Sequence, residues 1–338
     1  GAAEVSAIDA RRAAFVSWPE PSPRVRISTM DLATGAVVTD CEFGSDRYVK
    51  GVSLVAGTAL STPSQLRSLA DGHVIDDPPF PWNGFGPYFA PQRGVFVRGQ
   101  RSGEGGRQWR FSLHDGATGA ELSSAIGVSP VTGFADPLFA RVVLVGTSAS
   151  KRPVRVWTTT EPEMRRIVIG ADGDVVFGPG LARWISWDAP QQMTTGLLDE
   201  SPVTTIELPE FTQGCGIRYT VGDDKLVLGV STMSDEVHVV VIDLTTGSVL
   251  DSIKVDGSTP TSVGAAVRLD PTQQWVAIRT AEGMRLWRNG TRDVLVPESN
   301  GPLAGETSLL LSTPGGLPWF DGGVCLVEQG GLAFYDLP

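Results

Sequence analysis

Three histidines and a scatter of serines are the residues of this chain that could carry acid–base or nucleophilic chemistry. A zinc peptidase needs two histidines in a His-Glu-x-x-His sequence, and none occurs. A nucleophile elbow needs glycine on both sides of its serine, and neither Gly51–Val55 nor Gly146–Ser148 has that pattern. His114 and His238 fall in strand-like segments and His73 follows an Asp-Gly turn, so we expect two strand-face side chains and one exposed side chain. The sequence predicts no catalytic residue.

Cysteines and paired acids are the residues that could hold a metal ion or a redox centre. Cys41, Cys215 and Cys325 are widely spaced without a Cys-x-x-Cys sequence, which excludes zinc ribbons and thioredoxin-type chemistry. The acidic pairs fall in predicted turns or loops, where carboxylates cap backbone amides: Asp76–Asp77, Glu161 with Glu163, and Asp223–Asp224. We therefore predict no metal site and no cofactor.

The net charge of −11, from 27 basic and 38 acidic residues, limits the partners. Such a chain repels phosphate, and no basic stripe is interleaved with aromatic residues, so we exclude nucleic acid and anionic membrane surfaces. No apolar run reaches the roughly 18–20 residues that span a bilayer, so we expect no membrane insertion by this segment. The chain begins Gly1-Ala2-Ala3-Glu4 without an initiator methionine. We expect a domain excised from a larger protein.

One hairpin sequence occurs three times, and its spacing indicates how the chain is organised. It reads DLATG at Asp31–Gly35, DGATG at Asp115–Gly119 and DLTTG at Asp243–Gly247. Each copy follows an apolar run and precedes an alternating strand, which is typical of a β-hairpin whose glycine adopts positive φ. The aspartates are 84 and 128 residues apart, about two and three copies of a unit of roughly 42 residues. That length is typical of a four-stranded propeller blade.

We therefore predict an all-β fold, a β-propeller of four-stranded antiparallel blades that occupies residues 1–338 as a single domain. The 40 glycines and 24 prolines suit many short strands joined by tight turns. Turn positions along the chain favour eight blades, the last of them incomplete, and seven blades are the alternative. The first strand of the last blade falls at either Ser308–Ser312 or Leu317–Asp321.

The repeated Asp-x-x-Thr-Gly hairpin resembles the repeats of quinoprotein-dehydrogenase-like (PQQ-type) propellers, which commonly have eight blades. That family usually places tryptophan in the strand after the turn, where this chain has Val38, Leu122 and Leu250. The resemblance implies an extracytoplasmic, membrane-anchored setting, and the excess of arginine over lysine favours a bacterial source. The family's quinone chemistry would need a calcium-bound cofactor and adjacent cysteines, and no two cysteines here are adjacent.

The hairpins also resemble WD40 repeats. The Trp-Asp position of those repeats is filled by Met30–Asp31, His114–Asp115, Ile242–Asp243 and Tyr335–Asp336. The one literal Trp-Asp dipeptide, Trp187–Asp188, falls one strand too early in its repeat. Most other tryptophans fall in predicted strands, where we expect them to pack between blades: Trp18, Trp109, Trp157, Trp184, Trp275 and Trp287.

Two proline-stiffened aromatic stretches are the candidate binding site. They are PPFPWNGFGPYF at residues 78–89, which joins the outer strand of the second blade to the inner strand of the third, and PGGLPWF at residues 314–320. Aromatic side chains make good interface anchors because they lose little conformational entropy on binding. The candidate partner-binding residues are Phe80, Trp82, Phe85, Tyr88, Trp319 and Phe320. The alternative is that the first stretch folds over the ring or fills its channel as core.

These features favour a non-catalytic, monomeric platform that binds a protein or peptide partner through its loops. The alternative is a small-molecule or metal sensor, or a quinoprotein- or lactonase-like enzyme, that uses the axial channel. The third hypothesis is a structural spacer without a specific ligand. It predicts that neither loop variants nor channel variants alter the function of the protein.

Overall fold

A computed structural model describes most of the strands of this chain. It describes residues 3–7, 12–17, 24–31, 36–44, 53–55, 59–61, 66–68, 73–76, 88–90, 94–102, 108–128, 132–136, 140–146, 152–169, 174–189, 192–198, 202–212, 216–260, 266–270, 272–296, 319–320, 323–328 and 331–336. Side chains are described chiefly between residues 94 and 296. The only helical element in these ranges is a single 3-10 turn, Glu210–Thr212, so the predicted all-β class is confirmed. In these same ranges we find no helix with the length and apolar character needed to cross a bilayer.

The strands follow one another in antiparallel sheets. The first sheet contains β1 (Ala3–Ala7), β2 (Arg12–Ser17), β3 (Arg24–Asp31) and β4 (Val37–Gly44). The second contains β5 (Ser53–Val55), β6 (Ala59–Ser61), β7 (Leu66–Ser68) and β8 (Val74–Asp76). The third contains β9 (Tyr88–Ala90), β10 (Val95–Ser102), β11 (Gln108–Asp115) and β12 (Glu121–Val128). The fourth contains β13 (Thr132–Ala135), β14 (Arg141–Val145), β15 (Arg152–Thr158) and β16 (Met164–Ile169).

The same pattern continues to the end of the chain. The fifth sheet contains β17 (Asp174–Phe177), β18 (Arg183–Ala189), β19 (Gln192–Leu197) and β20 (Thr204–Ile206). The sixth contains β21 (Gly216–Val221), β22 (Lys225–Ser231), β23 (Val237–Asp243) and β24 (Val249–Lys254). The seventh contains β25 (Ala266–Leu269), β26 (Trp275–Thr280), β27 (Gly283–Arg288) and β28 (Val294–Leu295). The eighth contains β29 (Trp319–Phe320), β30 (Gly323–Glu328) and β31 (Gly331–Asp336).

Within the described ranges the chain thus forms seven four-stranded sheets and one three-stranded sheet, each built from strands that are consecutive in sequence. Of the two candidate positions for the first strand of the last sheet, β29 selects the second, Leu317–Asp321. The number of blades in the ring, eight with seven as the alternative, stays a prediction.

From the third sheet to the seventh, consecutive sheets pack face to face through shared apolar clusters. In the fourth sheet, Val142 and Leu144 join a core with the third sheet, whereas Val143 and Val145 join a core with the fifth. This follows from the two-residue period of a strand, which sends alternate side chains to opposite faces. Both faces of a middle strand are therefore buried, which explains the continuous apolar runs in the sequence. Four-stranded sheets stacked side by side in this way are the blades of a β-propeller.

Tryptophans occupy the centres of these cores, as predicted. Trp109 and Trp157 lie in the core between the third and fourth sheets, Trp184 between the fourth and fifth, and Trp287 between the sixth and seventh. Trp157 and Trp287 each donate a hydrogen bond from Nε1 to a backbone carbonyl of the following turn. Trp187, of the literal Trp-Asp dipeptide, lies in the second strand of its sheet, one strand early as predicted.

The repeated hairpin is held by its aspartate. Asp243 Oδ1 accepts hydrogen bonds from the backbone N–H groups of Thr245 at 2.6 Å and Thr246 at 2.8 Å. Gly247 then adopts a φ of 73° and donates its N–H to the carbonyl oxygen of Asp243 at 2.8 Å. Asp115 makes the corresponding bonds in the third sheet. The Asp-x-x-Thr-Gly sequence is therefore a turn signature, because each of its fixed residues satisfies or permits one part of the turn.

A β-bulge follows the hairpin at the positions where the sequence lacks the tryptophans of the resembling family. In the first, third and sixth sheets the pairing of the third and fourth strands shifts by one residue directly after the turn. The extra residues are Val38, Leu122 and Leu250, the positions where the resembling family carries tryptophan. Their exposed fractions lie between 49 and 53 %. The bulge thus leaves each of these aliphatic side chains about half exposed instead of buried in the core.

Candidate functional site

The two ends of the sixth sheet differ in what they display. The hairpin end carries the tight turn at Asp243–Gly247. The opposite end, which we call the loop face, is where β21 and β23 begin and where β22 and β24 finish. In a propeller the first strands of all blades run in the same direction, so their starts share one face of the ring. The connections between sheets therefore emerge on the loop face.

A short rigid turn between β22 and β23 presents a methionine at the loop face. The N–H of Thr232 donates to the carbonyl oxygen of Glu236 at 3.0 Å, and the N–H of Glu236 donates to Thr232 Oγ1 at 3.0 Å. Asp235 adopts a φ of 59°, which an aspartate tolerates in a turn. Met233 at the tip is 90 % exposed. A hydrogen-bonded turn thus keeps a large apolar side chain exposed to water.

An aromatic side chain from the preceding connection lies on the same face. Phe211 belongs to the 3-10 turn between the fifth and sixth sheets and contacts His238 with ring centroids 4.9 Å apart. Its exposed fraction is 39 %. His238 lies at the start of β23, one residue into the strand that follows the Met233 turn. The ring contact therefore holds the inter-sheet connection against the turn-bearing strand.

Three charged or polar side chains border these apolar groups. Glu236 accepts a hydrogen bond from Lys254 Nζ at 2.5 Å and one from His238 Nε2 at 3.4 Å. The hydrogen bond from Lys254, followed by that from His238, lowers the pKa of the Glu236 carboxyl, and the same carboxylate raises the pKa of Lys254. The apolar centre with a polar border has the composition of a protein-interaction surface. We call Phe211, Met233, Glu236, His238 and Lys254 the loop-face cluster.

The histidines behave as the sequence predicts. His114 lies buried in β11, where Nδ1 is 2.9 Å from the carbonyl oxygen of Gly119 and Nε2 is 2.8 Å from Ser112 Oγ. Its ring stacks on Phe96 with centroids 5.0 Å apart. His73 is exposed. Within the described ranges, no group of three or more His, Cys, Asp or Glu side chains is arranged to hold a metal ion.

The structure describes three of the six residues of the predicted aromatic site. Phe80, Trp82 and Phe85 lie outside the described residues. Tyr88 begins β9, where it pairs with Val97, and Trp319 and Phe320 form β29. Both strands are the first of their sheets. Tyr88 and Trp319 therefore stand at the starts of first strands. The partner-binding role of the six aromatic residues stays a prediction.

The sequence did not predict the loop-face cluster. Phe211 stands in a connection with a single aromatic residue, and Met233 stands among polar turn residues, so neither forms a patch along the chain. The cluster exists because the sheet brings residues 211, 233 and 254 to one end. The useful signal was Thr232–Asp235, a polar turn with one large apolar residue at its tip.

A second group joins the fifth and sixth sheets, with Trp187 in a second strand and Tyr219 in a first strand. Tyr219 of β21 stacks on Trp187 of β18 with centroids 5.9 Å apart and is 40 % exposed. Burial, followed by the nearby negative charge of Asp174, raises the pKa of Tyr219. Because first strands line the channel of a propeller, this group is where a channel ligand would contact the fifth and sixth sheets.

The known proteins that this chain resembles share its fold at low sequence identity. No protein family has a model that matches the chain, and no curated protein matches it. A crystal structure described as the eukaryotic initiation factor matches 85 % of this chain and 74 % of its own, with a TM-score of 0.54 and 9 % identity. The C-terminal WD40 domain of Sif2 matches with a TM-score of 0.52 and 12 % identity over 98 % of this chain and 93 % of its own.

A further match is BamB from Moraxella catarrhalis, with a TM-score of 0.52 and 12 % identity over 99 % of this chain and 94 % of its own. The two resemblances inferred from the hairpin sequence, to PQQ-type and to WD40 propellers, are thus both found among solved structures. At these identities the likeness concerns the fold. The chain is an all-β propeller of four-stranded antiparallel blades, similar in fold to WD40 propellers and to BamB.

Proposed function

We propose that this propeller is a non-catalytic platform that binds a protein or peptide partner on its loop face. The observation that carries the proposal is Met233, which is 90 % exposed on a hydrogen-bonded turn at the same end of the sixth sheet as the partly exposed Phe211. Large apolar side chains held in water cost free energy that an interface recovers. Methionine also adapts its shape to a partner surface.

The border of the cluster supports the same function. Lys254 and Glu236 form an exposed ion pair beside His238, so a partner would meet apolar groups at the centre and charges at the rim. Propellers of the WD40 type commonly act through protein contacts, which agrees with this arrangement. We include Phe80, Trp82, Phe85, Tyr88, Trp319 and Phe320 in the proposed surface, because both of their stretches lead into first strands.

The test is affinity enrichment from an extract of the native source with three immobilised proteins. They are the wild type, the loop-face variant Phe211→Ser, Met233→Ser, and the hairpin-end control Leu122→Ser, Leu250→Ser. Leu122 and Leu250 are also about half exposed but lie at the opposite end of their sheets. We expect a partner that wild type and control retain and the loop-face variant loses. Equal recovery by all three proteins would contradict the proposed face.

A companion variant, Trp82→Ala, Phe85→Ala, tests the aromatic stretch in the same experiment. Loss of the same partner would join this stretch to the loop-face cluster as one surface. Retention would remove the stretch from the proposed surface. Circular dichroism of each variant confirms that the β structure is intact before recovery is compared.

The second candidate function is a small-molecule sensor or enzyme that uses the channel. The stack of Tyr219 on Trp187 beside Asp174 favours this candidate, because a partly exposed aromatic pair with a carboxylate nearby can hold a small polar ligand. A channel ligand should raise the melting temperature of the wild type and not of a Tyr219→Ala variant. Such a shift in a metal and metabolite screen, with no partner enriched, would favour the channel over the platform.

A further inference from the structure

The outer strand of the fourth sheet, β16, is a regular edge with which no further described strand pairs. It lies at the end of the strand order β13-β14-β15-β16 and pairs with β15 over six residues without a bulge. Among the outer strands of the other four-stranded sheets, β4, β8, β12 and β24 each begin with a bulge, and β20 and β28 have only three and two residues. Bulges and short length are ways in which a sheet prevents pairing with another strand. Strand β16 has neither.

Arginines of β15 and β16 have no acidic partner among the residues that the structure describes. Arg155 of β15 lies directly opposite Arg166 of β16, and Arg165 occupies the other face of the same strand. Among the described residues, no ion pair joins any of the three to a carboxylate. Residues 141–169 contain six arginines and lysines against two glutamates, in a chain whose net charge is −11. The edge is therefore a basic region on an acidic protein.

An apolar side chain completes the pattern. Strand β12 of the third sheet approaches the start of β16, where a Cβ at Gly127 would lie 3.1 Å from Met164 Sδ. Arg166 and Val168 follow Met164 on the same face and are exposed, Val168 by 41 %. On the opposite face Ile167 is buried against the fifth sheet. The open side of β16 thus presents a cation and, two residues later, an aliphatic group.

We propose that β16 binds an extended acidic segment of a partner protein, which adds to the fourth sheet as a further strand. Backbone hydrogen bonds to the free edge would supply affinity, and carboxylates placed opposite Arg166 and Arg165 would supply specificity. Two like charges directly opposite each other destabilise a sheet, and an incoming carboxylate removes that repulsion. Positive charge on an edge strand repels basic strands, so an acidic strand is the partner that this edge selects.

The spacing defines the sequence that should bind. In the bound peptide, one carboxylate should lie opposite Arg166 and a second, at the adjacent position, opposite Arg165. An aliphatic residue two positions from the first carboxylate should lie opposite Val168. The matching probe is a fluorescein-labelled peptide of repeated Glu-Glu-Val-Val, with a Lys-Lys-Val-Val peptide as its control. Fluorescence anisotropy gives the Kd of each peptide for the purified chain. Hydrogen exchange of the complex shows which backbone amides the peptide protects.

We expect the acidic peptide alone to bind, with an affinity that falls as salt concentration rises and with new protection at residues 164–169. Arg155→Glu, Arg166→Glu should weaken binding about tenfold or more, and Arg166→Gln should weaken it less. The control Arg288→Glu reverses one exposed arginine of the seventh sheet and should bind as wild type does. The loop-face variant Phe211→Ser, Met233→Ser should also bind normally, because that face is separate.

Three results would overturn the proposal. Equal Kd values for the acidic and basic peptides would show that peptide charge does not determine binding. Acidic-peptide binding that leaves residues 164–169 unprotected, or that survives both arginine variants, would place the site elsewhere. Self-association of the wild type in sedimentation velocity, abolished by Arg166→Glu, would show that a second copy of the chain occupies the edge instead.

Discussion

Phe211 contacts His238 with ring centroids 4.9 Å apart, and this contact joins the connection between two sheets to the third strand of the next. In its described residues, this connection contains one 3-10 turn of three residues, Glu210–Thr212. His238 in turn donates to Glu236, which also pairs with Lys254 of the neighbouring strand. On the loop face of the sixth sheet, contacts thus run from Phe211 through His238 and Glu236 to Lys254.

The first prediction concerns this contact. Phe211→Ala should lower the free energy of unfolding by about 1 kcal/mol, because an aromatic pair of this geometry contributes roughly that amount. Met233→Ala is the control and should change stability little, because its side chain is almost wholly in water. Guanidinium unfolding followed by tryptophan fluorescence measures both. A greater loss for Met233→Ala than for Phe211→Ala would show that the methionine has a structural role instead.

The second prediction uses two glycines with similar backbone angles. Gly247 has a φ of 73°, and a Cβ there would lie 2.3 Å from the carbonyl oxygen of Thr205 in the fifth sheet. Gly257 has a φ of 66°, and no atom of the described residues lies within 4 Å of the added Cβ. Gly257→Ala should cost about 1–2 kcal/mol from backbone strain alone. Gly247→Ala should cost about 3 kcal/mol or more, because the sixth-sheet hairpin must move away from the fifth sheet.

Thermal or chemical unfolding of the two variants separates backbone strain from the contact between sheets. The hairpin is also tied to the fifth sheet by Arg183, whose Nη1 donates to the carbonyl oxygen of Leu244 at 2.8 Å. Equal losses for the two alanine variants would mean that the hairpin does not dock as closely as the structure places it.

The third prediction concerns the buried histidine of the third sheet. His114→Ala leaves a cavity beside Phe96 and removes the hydrogen-bond partner of Ser112 Oγ and of the Gly119 carbonyl. We expect a loss of about 2–3 kcal/mol in the free energy of unfolding. His73→Ala, at an exposed position, should lie within about 0.5 kcal/mol of wild type. A neutral His114→Ala variant would contradict the burial and hydrogen bonding of this side chain.

The fourth prediction concerns pH. Hydrogen bonds from the Thr259 hydroxyl and backbone N–H, at 2.6 and 2.8 Å, lower the pKa of Glu282 from 4.5 to about 2. A carboxyl whose folded pKa is depressed stabilises the fold fully above pH 4.5, and that contribution is lost as the pH falls toward about 2. Glu282→Gln should therefore be less stable than wild type at pH 7, and the difference should shrink steadily below pH 4.5.

Urea unfolding at a series of pH values measures this difference directly. Glu163→Gln is the matched control, because Glu163 is exposed and makes no hydrogen bond from its side chain among the described residues. That control should follow the wild-type curve. A Glu282→Gln difference that stays constant from pH 7 to pH 2.5 would show that the carboxylate does not stabilise the connection through its charge.

The hairpin repeat is the part of the fold that the sequence reveals most clearly. Asp243 and Gly247 are needed for local reasons, an amide cap and a positive φ, so the same letters recur wherever the same turn recurs. The bulge at Leu250 was not predictable, because an aliphatic residue suits both an exposed bulge and a buried strand. Histidine roles at positions 73, 114 and 238 also followed from their local strand and turn context.

The site was harder to predict, because it depends on contacts between distant residues. Phe211 and His238 are 27 positions apart, and their contact depends on how the connection folds back on the sheet. Sequence patterns favour aromatic residues that are close together in the chain, such as Trp82 and Phe85, over single ones brought together by topology. The arginine pair of the fourth sheet likewise appears only when the register places Arg155 opposite Arg166.

The most direct test of the platform is the Kd of the captured partner for three purified proteins, measured by isothermal titration calorimetry. The proteins are the wild type, Phe211→Ser, Met233→Ser and the hairpin-end control Leu122→Ser, Leu250→Ser. Loss of two apolar anchors should raise the Kd at least about tenfold for the loop-face variant and leave the control within about twofold of wild type. Unchanged affinity in the loop-face variant, or a larger loss in the control, would contradict the account.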